Sequence, residues 1–124
     1  MNTADQHLPL LFSLDEHPLL APLCRELTGG MGTLETRPFP DGETYLKVAT
    51  PVAGRHCIVV ANLANPNAKL LPLIFLLETL RELGASSVGL VAPYLCYMRQ
   101  DCRFHEGEAV TSRLFAHLLS THID

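Results

Sequence analysis

The sequence has little charge and no concentration of one sign. Only 18% of its 124 residues are charged, and nine Lys and Arg against thirteen Asp and Glu leave a net charge of −4. A surface that coats nucleic acid needs an excess of Lys and Arg, so that class is excluded; a small basic pocket for a phosphorylated ligand is not. No apolar run is long enough to span a bilayer; the most apolar, LLPLIFLL, is far too short and has polar flanks, so no membrane partner is expected. The opening MNTADQHLPLL lacks the basic n-region and long apolar core of a secretory leader, which points to a cytoplasmic protein. Cys24, Cys57, Cys96 and Cys102 have no framework-like spacing, and no His or Cys partner stands at zinc spacing, so they read as reduced thiols. Also missing are the GxGxxG and GxxxxGK[ST] phosphate loops and the Ser and Cys nucleophile signatures. The six histidines form no triad: His56 opens a strand, His117 and His122 fall in the last helix, and His105 stands alone in a polar loop.

What is present is a packed domain. Hydrophobic residues make up 48% of a chain long enough for one real core. LPLLFSL (8–14) reads as a strand and HPLLAPLCRELTGG (17–30) as a helix closed by glycines, with Leu20, Leu23 and Leu27 at helical spacing. TLETRPF and TYLKVAT read as two more strands. HCIVVANL (56–63) has the continuous apolar run of a strand covered on both faces, and SSVGLVAPYL (86–95) reads as another buried strand. Between them, Asn67 to Leu83 is the strongest helix. Leu70, Leu73, Ile74, Leu77 and Leu80 form its stripe, and Gly84 is placed to end it. Pro72 implies that the regular part begins near Lys69 or Leu70, or bends there. Leu71, Phe75, Leu76 and Leu83 widen the apolar surface, which fits either deep burial or a subunit contact. VTSRLFAHLLSTH (110–122) is the last helix, with Thr111 or Ser112 as its cap. This order implies an α/β fold of three layers. A mostly parallel sheet lies between helices on both faces, with a hairpin-like insertion near residues 37–48.

Two short stretches carry candidate chemistry. APYLCYMRQDCR follows a strand at its carboxyl end, where open α/β sheets collect ligands. Arg99 and Arg103 can hold phosphate oxygens through forked hydrogen bonds, and Gln100 offers a donor and an acceptor. Asp101 can orient an arginine or bind water around a metal. Tyr94 and Tyr97 either stack on a base or wedge the loop against the domain. The plain alternative is a solvated loop with two salt bridges. FPDGE (39–43) is the second stretch. Asp41-Gly42 alone would make a turn. Phe39 adds an apolar face, and Asp41 and Glu43 add acceptors for an exocyclic amine or a ribose hydroxyl.

Together, in this order and about fifty residues apart, FPDGE and PYLCYMRQD resemble the amino-terminal domain of ribose-phosphate pyrophosphokinase, also called phosphoribosyl pyrophosphate synthetase. That family shows Phe-Ser-Asp-Gly-Glu at the first place and Pro-Tyr-x-x-Tyr-Ala-Arg-Gln-Asp at the second. The similarity runs from about Arg37 to the end and takes in the Asn67 helix start, ELGASSV and GEAVTSRLFAHLL. The resemblance implies a phosphoribosyltransferase-like fold and a transferase that moves the pyrophosphoryl group of ATP to ribose 5-phosphate. It implies that Arg99 and Gln100 touch ATP, while Phe39, Asp41, Gly42 and Glu43 hold the adenine of ATP bound mainly by a neighbouring subunit of a homo-oligomer. The Mg2+ ligands are expected beyond residue 124, as are the catalytic lysine loop and the ribose-phosphate loop. Residues 1–124 then form the amino-terminal domain of a two-domain enzyme. They hold no catalytic residue, and the domain alone is expected to be inactive. Pro40 in place of Ser, Met98 in place of Ala, and Gly107 in place of an Arg mark a divergent branch. A catalytically silent regulatory paralogue and a stand-alone nucleotide-binding domain are the alternatives.

Overall fold

The structure is a computed structural model and describes residues 7–124. Residues 1–6, part of the stretch read for a leader, lie outside it. Four parallel strands form one sheet in the order β2-β1-β5-β6: β1 (Leu10–Ser13), β2 (Gly30–Met31), β5 (His56–Val60) and β6 (Ser87–Val91). In register, Leu10 stands beside Cys57 and Cys57 beside Val88. Strand alternation then sorts the side chains into two cores. Leu10, Phe12, Cys57, Val59 and Val88 face α2 (Asn67–Glu82) and α3 (Thr111–Ser120). Leu11 and Val60 face α1 (Leu20–Glu26) through Leu20, Leu23 and Cys24. Helices on both faces of a mostly parallel sheet are the architecture expected.

Helix α2 fills the larger core. Leu73, Leu76, Leu77 and Leu80 are fully buried, each contributing roughly 1.5–3 kcal/mol of transfer free energy. The helix begins at Asn67, two residues before Lys69, because the Pro66 carbonyl already accepts from the amides of Lys69 and Leu70. Pro72 therefore lies inside the helix, where its missing N–H forgoes one rung. Gly84, at φ 98°, ends it: the Gly84 amide donates to Arg81 and the Ala85 amide to Leu80, a Schellman closure. Leu71, Phe75 and Leu83 remain exposed.

Three local expectations change. Helix α1 is shorter than read and is not closed by a left-handed glycine. Thr28, at φ 51°, takes the left-handed position, with its own amide on Arg25 and the Gly29 amide on Cys24. The glycines serve the sheet instead. A side chain on Gly29 would meet the Pro9 carbonyl at 2.8 Å, and one on Gly32 would meet the Phe12 ring at 2.2 Å. Strand β6 is a half-buried edge; Val88 is buried and Val91 is 37% exposed. The residue before α3 is Val110, and neither Thr111 nor Ser112 caps it through its side chain. The Ser112 amide instead donates to the Gln100 carbonyl.

The insertion is a separate two-stranded antiparallel sheet of β3 (Leu34–Pro38) and β4 (Thr44–Val48). Leu34, Leu46 and Val48 pack onto the larger core. Alternation sends Glu35, Arg37, Tyr45 and Lys47 to the opposite, outward face.

Candidate functional site

The carboxyl ends of β5 and β6 open into a cleft of about 850 Å³. Its two walls are the β5–α2 connection (Ala64, Asn65, Pro66) with the start of α2, and the loop after β6 (Tyr94 to Gln100). Backbone bonds zip the walls together at their base. The Ala61 amide donates to Val91, and the Leu63 amide to Tyr94. The sequence runs out of strand here because Pro66 and Pro93 supply no donor to a ladder.

Two residues lining the cleft hold left-handed backbone without being glycine, Asn65 (φ 52°) and Tyr97 (φ 60°). Asparagine tolerates that region; tyrosine does so at a strain cost. Surrounding contacts hold Tyr97 there. Its hydroxyl donates to Oδ1 of Asn67, and its ring lies 5.2 Å from that of Phe115. Tyr97 is thus the wedge of the loop against the domain, while Tyr94 stays half exposed.

Arg99 lines the cleft and forms no ion pair among the described residues, and neither does Arg103. The two salt bridges of the plain alternative are not formed. The start of α2 lines the other wall of the cleft, with no acidic residue in its first turn. The amides of Asn67 and Ala68 precede the first helical rung and add positive potential to the same cleft from that wall. Gln100 is more committed. Its Nε2 donates to the Cys102 carbonyl at 2.8 Å and to Glu108 Oε1 at 3.2 Å. Glu108 Oε1 also accepts the His105 amide at 2.7 Å, so His105 is not alone in its loop. The Gln100 amide oxygen accepts no hydrogen bond among the described residues. Met98, half exposed, stands on the cleft wall, so its bulk over alanine displaces no core residue.

Phe39, Asp41, Gly42 and Glu43 lie on the hairpin tip and line no part of this cleft. The Gly42 amide donates to Phe39 and the Phe39 amide to Glu43. Pro40 and Asp41 are the central turn residues, and Gly42 follows at φ 91°. This is a three-residue loop with a left-handed third position, in place of the two-residue Asp-Gly turn. Pro40, at the position where a fixed φ helps, fits it well. Asp41 Oδ1 accepts the Glu43 amide at 3.0 Å, so Asp41 braces the turn, whereas the Glu43 carboxylate has no cation among the described residues.

Two of the histidines have structural partners. His122 lies past the end of α3, with Nδ1 2.8 Å from Glu78 Oε1, and His56 Nδ1 is 2.7 Å from Ser87 Oγ. Burial pushes the Cys57 thiol up to about 11. Cys24, Cys57 and Cys96 are buried free thiols, and Cys102 is exposed. Among the described residues, no group of three or more His, Cys, Asp or Glu is placed to hold a metal ion. No helix there is long and apolar enough to cross a membrane. The wedge role of Tyr97 is one of the two sequence readings; the bonds of Gln100 and the partner of the Tyr97 hydroxyl are not legible in sequence, since both depend on how one loop folds over another element.

Residues 9–122 match the family described as the N-terminal domain of ribose phosphate pyrophosphokinase. The ribose-phosphate pyrophosphokinase of Methanobrevibacter smithii is 37% identical over 103 residues, 83% of this chain and 35% of that protein. That of Bacillus subtilis is 30% identical over 113 residues, 90% of this chain and 36% of its own. The crystal structure of phosphoribosylpyrophosphate synthetase from Mycobacterium smegmatis superposes with a TM-score of 0.81 at 27% identity, covering 92% of this chain and 39% of that one. The chain spans about a third of the length of the curated relatives it matches.

Proposed function

The chain belongs to the ribose phosphate pyrophosphokinase family, as its amino-terminal domain, and from that premise we propose that it is the nucleotide-holding domain of a two-domain enzyme. The whole enzyme transfers the pyrophosphoryl group of ATP to ribose 5-phosphate, as a cytoplasmic homo-oligomer. The observation that carries this reading is Arg99, a guanidinium without an ion pair among the described residues, on a cleft that also receives the amino end of α2. A polyphosphate offers both features what they lack: oxygens for the fork of Arg99 and negative charge for the first helical amides.

In this reading Arg99 binds phosphate oxygens. Gln100 holds the loop through Glu108 and Cys102 and turns its free amide oxygen to the nucleotide. Phe39 stacks on adenine, and Glu43 accepts from the exocyclic amine. Asp41 and Gly42 shape the turn that presents them. The hairpin tip lies outside its own cleft, so it serves the nucleotide of an adjoining protomer. Phosphoryl-type transfer depends mainly on positioning and charge stabilisation, and these residues supply the positioning. Magnesium bound with ATP supplies charge neutralisation on the phosphates. In the same reading its protein ligands, like the ribose-phosphate site, belong to the remainder of the enzyme.

Arg99→Ala in the complete protein tests the reading. Loss of one charge-assisted contact raises the KM for ATP about tenfold or more, with the melting temperature unchanged. Unaltered ATP kinetics would refute it.

A further inference from the structure

Arg37 and Tyr45 stand opposite each other in the hairpin register, and Phe39 follows two residues on, on the same outward face. The Arg37 guanidinium carbon is 4.4 Å from the centroid of the Tyr45 ring and 5.7 Å from that of Phe39. Both lie within cation–π range. The two rings meet edge to face, with centroids 6.0 Å apart and planes at 89°. The guanidinium also has a carboxylate neighbour, Glu35, but at 3.9 Å with both side chains more than half exposed. Such a pair restrains little. The rings, not the acid, hold Arg37, and Arg37 in turn bridges the rings.

We infer that Arg37 is a positioning residue for the nucleotide base, with the Tyr45 ring as its support. The pair locks Phe39 in the one orientation from which a purine can stack on it. This rests on the reading of Phe39 as the base platform. A phenylalanine at a hairpin tip would otherwise have to be ordered at the moment of binding, and that ordering would subtract from affinity. A planar guanidinium suits the role because it lies flat against a ring face, which an ammonium does not. The tip is stiffened from below as well, by the Asp41 carboxylate on the Glu43 amide. The platform is therefore built before any ligand arrives, by residues that need not touch it.

The test is steady-state kinetics of the complete protein with ATP varied, alongside melting curves. Arg37→Met raises the KM for ATP about two- to fivefold and leaves kcat and the melting temperature unchanged. Arg37→Lys falls between. Tyr45→Leu raises KM like Arg37→Met, Tyr45→Phe brings it back, and the double variant Arg37→Met/Tyr45→Leu is no worse than either single one, since the two act as one support. Phe39→Leu separates the possible failures. If it raises KM while Arg37→Met and Tyr45→Leu do not, the positioning inference is overturned and the platform reading stands. If Phe39→Leu itself leaves KM unchanged, the platform reading falls and takes the inference with it. A fall in melting temperature or kcat with KM unmoved would assign Arg37 a merely structural role and overturn the inference.

Discussion

The hydroxyl of Tyr97, in the loop after β6, donates to the side chain of Asn67, the first residue of α2. One bond therefore ties the two walls of the cleft together, across a residue whose backbone is left-handed. Tyr97→Phe keeps the ring on Phe115 and deletes the bond. Thermal stability should fall by about 1 kcal/mol, and the KM for ATP should rise several-fold as the loop carrying Arg99 loosens. Melting curves and ATP kinetics on the same preparation check both.

In the proposed function the hairpin tip divides its carboxylates between two tasks. Asp41→Asn keeps an oxygen for the Glu43 amide, so the KM for ATP should stay within about twofold. Glu43→Gln removes a charged acceptor and should raise it about tenfold. Equal effects of the two substitutions would contradict this division.

Thr28 bears a left-handed strain that Gly29 does not relieve. Thr28→Gly should stabilise the domain by up to about 1 kcal/mol, the strain released less the added freedom of the unfolded chain. Gly29→Ala should destabilise it, because the new methyl meets a carbonyl oxygen at 2.8 Å and Leu11 at 2.9 Å. Chemical denaturation at fixed pH gives both signs.

Asp124 ties the segment after α3 to the sheet. Its carboxylate accepts the Val88 amide at 2.8 Å and stands 3.5 Å from Arg81. The amide first, and the arginine less strongly, hold its pKa below the usual 3.8. A folded-state pKa below the unfolded one means the stabilisation is present above about pH 4 and fades as pH falls through the folded value. Asp124→Asn should flatten that acid limb in urea titrations run at a series of pH values, and should leave the slope near neutrality unchanged.

The strands and α2 were legible because burial on two faces and one strong stripe leave long, regular patterns in Val, Ile and Leu. The hairpin announced itself through Asp41 and Gly42. Residues with two possible uses misled. Gly29 and Gly30 read as a helix stop, yet close approach to β1 claims them and leaves Thr28 to turn the chain. Pro72 read as a barrier to helix, yet one missing rung is tolerable in a helix whose four leucines are fully buried. The resemblance assigns Arg99 and Gln100 the same contact with ATP. Only the folded loop shows one as available and the other braced by Glu108.

The central claim is that the hairpin tip of one protomer and the Arg99 loop of another complete a single nucleotide site. Mixing protomers of the complete protein tests it most directly. Phe39→Ala and Arg99→Ala should each be nearly inactive at limiting ATP. Mixed oligomers of the two should regain activity, because one shared site is then assembled from two unaltered segments. Mixed oligomers that form but show no more activity than either parent would contradict the account.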